Sequence, residues 1–428
     1  MHAVNEYLSD PDARRALQDS LNAPYTAPVI RCAKFKITAR CNLRCTFCQY
    51  WQMREPDEMS TSEIQRSLDQ LRDMGCVKVH FSGGEATLRK DVFALLAHAA
   101  SLGMKANLTT NGTLLDHDRA HQLLDAGTHS VSLSLDGPDA RTHDSLRGVP
   151  GAFERTTKAI RLLARIRDRR GSRLKLRLNT VLTRHNYTRL ADVTDLAAEL
   201  GMTDVIPMPV DERLETAEHR LSRHDIERFN THVAPIAAEV RRAVGFSTAP
   251  HLIWPFGRSD RDLLLAAEGR YARGYFKEHL CHVPWLHMFI TWNGDVYLCC
   301  MARGKTEPFG NLRRQSVAEV FQGEGYRQIR GQFRRKMPSV CHRCDMFLAE
   351  NAVIEQALSP ANIGPGAPRR TPDNASPGES QPEDRTAAPR TGLRSGPESR
   401  SAATASAAAE MPPRSPGGTG TSEFVVLP

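Results

Sequence analysis

The amino-acid sequence predicts an α/β fold, a parallel sheet covered by helices, followed by a small cysteine-bearing second domain and a low-complexity tail. Three observations carry this. Strand-like and helix-like segments alternate about six times over roughly 175 residues, the pattern of strand–helix–strand crossovers. The ten cysteines fall mainly into an early and a late group. From about Ser359 the composition shifts to Pro, Gly, Ser, Ala, Thr and Arg, which cannot bury a core and reads as disordered.

In chain order, residues 31–38 read as a strand that runs into the early cysteines. Residues 61–74 read as a helix, with Ser60 or Thr61 as N-cap and Ile64, Leu68 and Leu71 at helical spacing. Further strands are expected at 77–81, 105–108, 130–135, 174–181 and 204–208, and helices at 91–102, 116–126, 152–167 and 190–200. Six units are too few for a standard eight-stranded barrel. Ligands are expected at the carboxyl ends of the strands, where the βα loops lie. The organisation is then an extension over 1–30, the β/α domain over 31–210, a mainly helical connector over 211–280, the second domain over 281–351 and the tail over 359–428.

No stretch of eighteen or more apolar residues occurs, so no membrane-spanning helix is expected. The first thirty residues carry Glu6, Asp10, Asp12 and Asp19 and lack a secretory pattern. Ten cysteines without such a signal point to metal binding in a reducing compartment, the cytoplasm. The formal net charge is +8, and arginines crowd 161–173 and 313–335. Such clusters fit a nucleic-acid footprint, but no recognition motif accompanies them, and solvated basic faces explain them.

Cys41, Cys45 and Cys48 form a C-x3-C-x2-C run with Phe47 before the third cysteine. Three thiolates cannot fill four corners of a cubane iron–sulfur cluster, so one iron keeps an open position. A structural zinc site wants four close ligands, and no fourth lies nearby. The run resembles the signature of the radical S-adenosylmethionine (radical SAM) enzymes. Ser82-Gly83-Gly84-Glu85, with Leu88, Arg89 and Asp91, resembles their G-G-E-x-x-L-x-x-D segment. Thr110-Asn111-Gly112 and Ser134-x-Asp136-Gly137-type strand ends resemble segments that border the cofactor. His143-Asp144-Ser145-Leu146-Arg147-Gly148 resembles an H-D-x-x-R-G stretch of relatives with auxiliary clusters.

The resemblance implies a partial, open (β/α)6 radical SAM barrel and an enzyme. Its [4Fe–4S] cluster would bind S-adenosylmethionine through the open iron, with a reductant such as flavodoxin or ferredoxin. Cys41, Cys45 and Cys48 would be its ligands. Gly83, Gly84 and Glu85 would hold the methionine amino group, through backbone carbonyls and the carboxylate. Asn111, Ser134 and Asp136 would border the ribose, Arg147 would pair with the cofactor carboxylate, and Asn179 and Phe47 are further cofactor contacts.

Cys281, Cys299 and Cys341-x2-Cys344, with a Gly294-x4-Cys299 element on an Asn-Gly hairpin, resemble the auxiliary-cluster domain called SPASM, or twitch in its short form. No cysteine follows Cys344, which suits the short form with one auxiliary [4Fe–4S] cluster. Spacing alone also fits a four-cysteine zinc site. Cys300 is expected to be a packed neighbour, and Cys32 and Cys76 buried thiols.

The layout is most similar to aminocyclitol dehydrogenases of antibiotic biosynthesis. The leading expectation is therefore an oxidoreductase acting on a small polar molecule, a sugar, aminocyclitol or nucleoside. The alternative is maturation of a ribosomally made peptide, as in related auxiliary-cluster enzymes. The thirty or so residues before the first strand are too few for the leader-binding segment many of those carry. Tyr50, Trp51 and His185 are candidate cavity residues.

Overall fold

The computed structural model describes residues 4–23, 27, 29–53, 57–211, 218–345 and 348–359. All described residues belong to one compact unit, 1–374; the expected disordered tail, beyond Ser359, lies outside them. No helix among the described residues is long and apolar enough to cross a membrane.

Six parallel strands form the body of the sheet: β1 (Cys32–Thr38), β2 (Lys78–Gly83), β3 (Lys105–Thr110), β4 (Ser130–Ser134), β5 (Lys175–Leu182) and β6 (Asp204–Pro209). Each lies within a residue or two of its sequence expectation. Residues alternate between the two sheet faces. On β1 the apolar Ala33, Phe35 and Ile37 are buried on one face, while Cys32, Lys34 and Lys36 line a cavity on the other. On β5, Leu176, Leu178 and Leu182 are buried, while Arg177, Asn179 and Val181 face that cavity. The barrel is thus held by its outer, helix-covered layer, and its interior is a cavity lined by both polar and apolar side chains.

The first covering helix, Thr61–Asp73, begins with a capping box: Ser60 Oγ accepts from Glu63 N at 3.2 Å, and Ser60 N donates to Glu63 Oε2 at 2.7 Å. Its Ile64, Leu68 and Leu71 are buried, as their spacing implies. The 18-residue helix Ala152–Arg169 buries Ile160, Leu163 and Ile166 and leaves its arginine-rich end outward.

The sheet does not stop at six strands. β7 (His287–Ile290) pairs in parallel with the free edge of β1, in register from Cys32↔His287 to Phe35↔Ile290. β8 (Asp295–Tyr297) and β9 (Gly310–Asn311) add antiparallel, giving the order β6-β5-β4-β3-β2-β1-β7-β8-β9. The hairpin turn between β7 and β8 uses Gly294 at φ +89°, as the Asn-Gly signal requires. The segment expected as a separate second domain therefore shares the barrel's sheet. An open barrel leaves an edge of unpaired N–H and C=O groups on β1, and β7 satisfies it.

The 1–30 extension also joins this region. The helix Pro11–Asn22 buries Leu17 and Leu21, and Trp285 Nε1 donates to Ser20 O at 3.2 Å. The connector is helical, as expected, and anchors on the last barrel strand: buried Arg241 pairs with Asp204 at 2.5 Å and donates to Val205 O at 2.9 Å. Arg241→Met should leave Asp204 uncompensated and destabilise the fold by about 3 kcal/mol, read as a shifted midpoint in urea unfolding followed by circular dichroism.

Candidate functional site

β1 ends in a register shift between Lys36 and Thr38, and the chain turns into the cysteine loop. Two neighbouring segments hold that loop by backbone contact. From the β2 turn, Gly84 N donates to Thr38 O at 2.9 Å and Glu85 N to Arg40 O at 2.8 Å. A Cβ on Gly84 would sit 2.3 Å from Arg40 O, and one on Gly83 2.5 Å from Thr38 O, so the close approach requires glycine at both. From the other side, Arg44 N and Thr46 N donate to Arg147 O and Leu146 O, both at 3.0 Å. These carbonyls end the helix Ala140–Arg147, whose C-cap Gly148 has φ +69°. A Cβ there would meet Arg44 O at 2.2 Å.

The loop brings Cys41, Cys45 and Cys48 together in one small apolar cluster with Leu43 and Phe47. Burial, with the negative charge of Glu85 and then of Cys45 and Cys48, pushes the Cys41 thiol up to about 12. Burial likewise raises Cys45, and the Arg147 guanidinium opposes it. Thiols that resist ionisation for these reasons fit a site whose counter-charge is metal.

Glu85 is 1 % exposed, and its carboxylate accepts from four donors: Thr87 N at 3.0 Å, Thr87 Oγ1 at 2.6 Å, Thr110 Oγ1 at 2.6 Å and Asn111 N at 2.7 Å. It ties the β2 and β3 turns together. Asn111 in turn donates to Asn42 Oδ1 at 2.9 Å, inside the cysteine run. Arg147 Nε lies 2.8 Å from Asp136 Oδ2, and its Nη1 donates to Cys45 Sγ at 3.7 Å. Asp136 is fully buried and also accepts from Val181 N at 2.9 Å. His143, held neutral by burial with its pKa down to about 3, accepts from Asp136 N at 3.1 Å. The expected cofactor partners Glu85, Asp136 and Arg147 are therefore engaged within the protein. The tertiary fold packs them under the cysteine loop, where buried charges need partners.

Phe47, Cys48, Ser134 and Asn179 do face open space, a cavity of about 770 Å³ inside the barrel. Ser134 and Asn179 are register partners on β4 and β5. Tyr50 lines the same cavity, between the cations of Lys36 and Arg303, each 4.8 Å from its ring. Trp51 is exposed and donates to Cys45 O at 3.3 Å. His185 reaches the cavity only through His219, edge-on at 5.5 Å.

Cys281, Cys299, Cys341 and Cys344 border a second, small apolar cavity with Phe276, Leu298 and Phe333. Burial raises Cys281 to about 12, while Asn351 Nδ2 donates to its Sγ at 3.7 Å. Among the described residues no three His, Cys, Asp or Glu side chains converge as the ligands of a single ion would. Four cysteine sulfurs around one space are a donor set that an iron–sulfur cluster takes. Cys300, expected as a packed neighbour, instead lines the large barrel cavity. In the bend and turn after β8, Cys299 borders the small cavity and Cys300 the large one. The Cys-Cys doublet after a strand was the signal for this.

Comparison with known proteins agrees with this layout. A family model for the radical SAM superfamily matches residues 35–173, and one for an iron–sulfur cluster-binding domain, SPASM, matches 281–345. The AdoMet-dependent heme synthase of Oleidesulfovibrio alaskensis is 32% identical over 46% of this chain. The chain spans about half the length of the heme synthases it matches. The PqqA peptide cyclase of Xanthomonas campestris pv. campestris is 30% identical, over 74% of this chain and 80% of its own. The crystal structure of Streptococcus suis SuiB bound to S-adenosylmethionine shares the fold, with a TM-score of 0.60, 20% identity, and 79% of this chain and 77% of that one covered.

Two substitutions test the positioning roles. Glu85→Ala strands four donors and should lower stability by about 1–3 kcal/mol even without cofactor, seen as a lower melting temperature of the cofactor-free protein. Gly148→Ala should displace the cysteine loop and lower the iron bound per chain after anaerobic reconstitution, measured by colorimetric iron assay.

Proposed function

Since this chain belongs to the radical SAM superfamily of iron–sulfur enzymes, we propose that it modifies a peptide. The observation that carries the reading is one 770 Å³ cavity bordered by Phe47 and Cys48 at the early cysteine loop and by Cys300 and Asp345, which adjoin Cys299 and Cys344. A substrate residue held there would lie between the two sulfur sites. The small polar substrate expected from the cysteine layout gives way to the peptide alternative. The relative matched over most of both chains is named a peptide cyclase.

In this reading Cys41, Cys45 and Cys48 hold the cofactor-binding [4Fe–4S] cluster, and Cys281, Cys299, Cys341 and Cys344 hold the auxiliary one. When bound, these clusters and S-adenosylmethionine supply a 5′-deoxyadenosyl radical that abstracts hydrogen from an unactivated C–H bond, and an acceptor for one electron. The protein supplies orientation and exclusion of water. The Gly83 and Gly84 carbonyls, Ser134, Asn179 and Phe47 line the cofactor's place. Glu85, Asn111, Asp136 and Arg147 hold the loops in position from behind. The Arg147 charge beside Cys45 favours its thiolate, which is the ligating form. The setting would be the cytoplasm, with flavodoxin or ferredoxin as electron donor.

The reconstituted protein should bind about eight irons per chain, and replacing Cys41, Cys45 and Cys48 with Ala should leave about four. Reduced enzyme with S-adenosylmethionine and a panel of candidate precursor peptides should yield 5′-deoxyadenosine and a peptide lighter by two hydrogens, read by mass spectrometry. Mass change on sugars or nucleosides with none on any peptide would return the function to small molecules.

A further inference from the structure

The barrel interior carries cations that no ion pair among the described residues engages, and of the cavity's acids Asp345 feels the charge of Lys34. Lys34 on β1, Lys78 on β2 and Arg177 on β5 all line the 770 Å³ cavity. Among the described residues, no hydrogen bond or ion pair engages their charged ends. The carboxylate nearest to Arg177 in register, Asp204, is already paired with Arg241 at 2.5 Å. Cations drawn into a protein interior without partners are costly unless a ligand completes them.

Their height in the barrel matters. Arg177 is one inward-facing step below Asn179, and Ser132, its register partner, one step below Ser134. One such step is about 7 Å. Lys34 stands level with His80, and Cys32 with Lys78. His80 reports the local potential: burial first, then the charges of Lys34, Lys78, Lys36 and Arg177, hold it well below its usual pKa. It stays neutral, with Nε2 at 2.6 Å from Thr109 Oγ1. Of the acids of the cavity, Asp204 on β6 is paired with Arg241, and Asp211, Glu218, Asp345 and Glu350 come from the segments after β6 and after Cys344.

We propose that this wall is a carboxylate site, in which Lys34, Lys78 and Arg177, standing in register one to three steps below Ser134 and Asn179, hold an acidic side chain of the substrate. Arg177 offers a planar fork suited to both carboxylate oxygens, and the lysines add point charges. The identification of the carboxylate's carrier as a peptide rests on the peptide reading above. The carboxylate would fix which carbon of the residue is presented at the cofactor layer, and so select the site of hydrogen abstraction.

The test is titration calorimetry on the reconstituted full-length holoprotein with S-adenosylmethionine, using three probes: acetyl-Ala-Glu-Ala-amide, acetyl-Ala-Gln-Ala-amide and glutarate. The Glu peptide should bind at least about tenfold tighter than the Gln peptide, and Lys78→Gln/Arg177→Gln should bring the two level. Arg177→Lys, which keeps the charge, should retain a reduced preference and serves if the double variant does not fold. Cation-dependent binding of glutarate without binding of either peptide would uphold the carboxylate site and overturn the peptide reading. Equal binding of both peptides to the wild type would overturn the carboxylate site and leave the peptide reading standing. Binding of none of the three would overturn the site.

Discussion

The close backbone approach of residues 38–46 to two glycine-bearing turns is the constraint on which the rest of this molecule depends. Three thiols can share one site only if the loop that carries them is held still. Gly83 and Gly84 press on one side of the loop and Gly148 on the other, at distances a Cβ would forbid. The hydrogen bonds made there are main chain to main chain, so they specify position without depending on side-chain rotamers.

Beneath that contact lies a layer of buried charge. Glu85 clamps the turns after β2 and β3, while Asp136, Arg147 and His143 link the end of β4 to the helix that buttresses the loop. Glu85 accepts from four donors and Asp136 is ion-paired with Arg147, while among the described residues the buried His143 Nε2 has no hydrogen-bond partner. Glu85, Asp136 and Arg147, which look from their motifs like ligand contacts, also have partners within the protein. Arg147 does two things at once. It neutralises Asp136 and sets a positive charge against Cys45.

The second dependency is the pairing of β7 with β1. It carries Cys299 and Cys300 to a point where one thiol faces the auxiliary cavity and the other the barrel. The barrel interior then carries Lys34, Lys78 and Arg177 on β1, β2 and β5, while segments downstream of β6 bring both acids, Asp211, Glu218, Asp345 and Glu350, and the cations Arg273 and Arg303. A parallel barrel whose packed core lies between the strands and the helices is free to vary its inner face.

Sequence by itself determined the six strands and their helices, because β1 through β6 keep a period of two and the covering helices a period of 3.6. It also marked the three early cysteines, the Gly-Gly-Glu turn and the four late cysteines, since their spacing is local and chemically specific. Only the tertiary structure decided that β7 belongs to the barrel sheet. His287–Ile290 is buried throughout and shows no alternation, and its partner lies some 250 residues away in the chain. The same holds for the inward direction of Lys34, Lys78 and Arg177, which in a strand of alternating polarity read equally well as a solvent-facing side. And it alone decided that Glu85, Asp136 and Arg147 are already partnered, because what a buried charge pairs with is settled by which distant segments close over it.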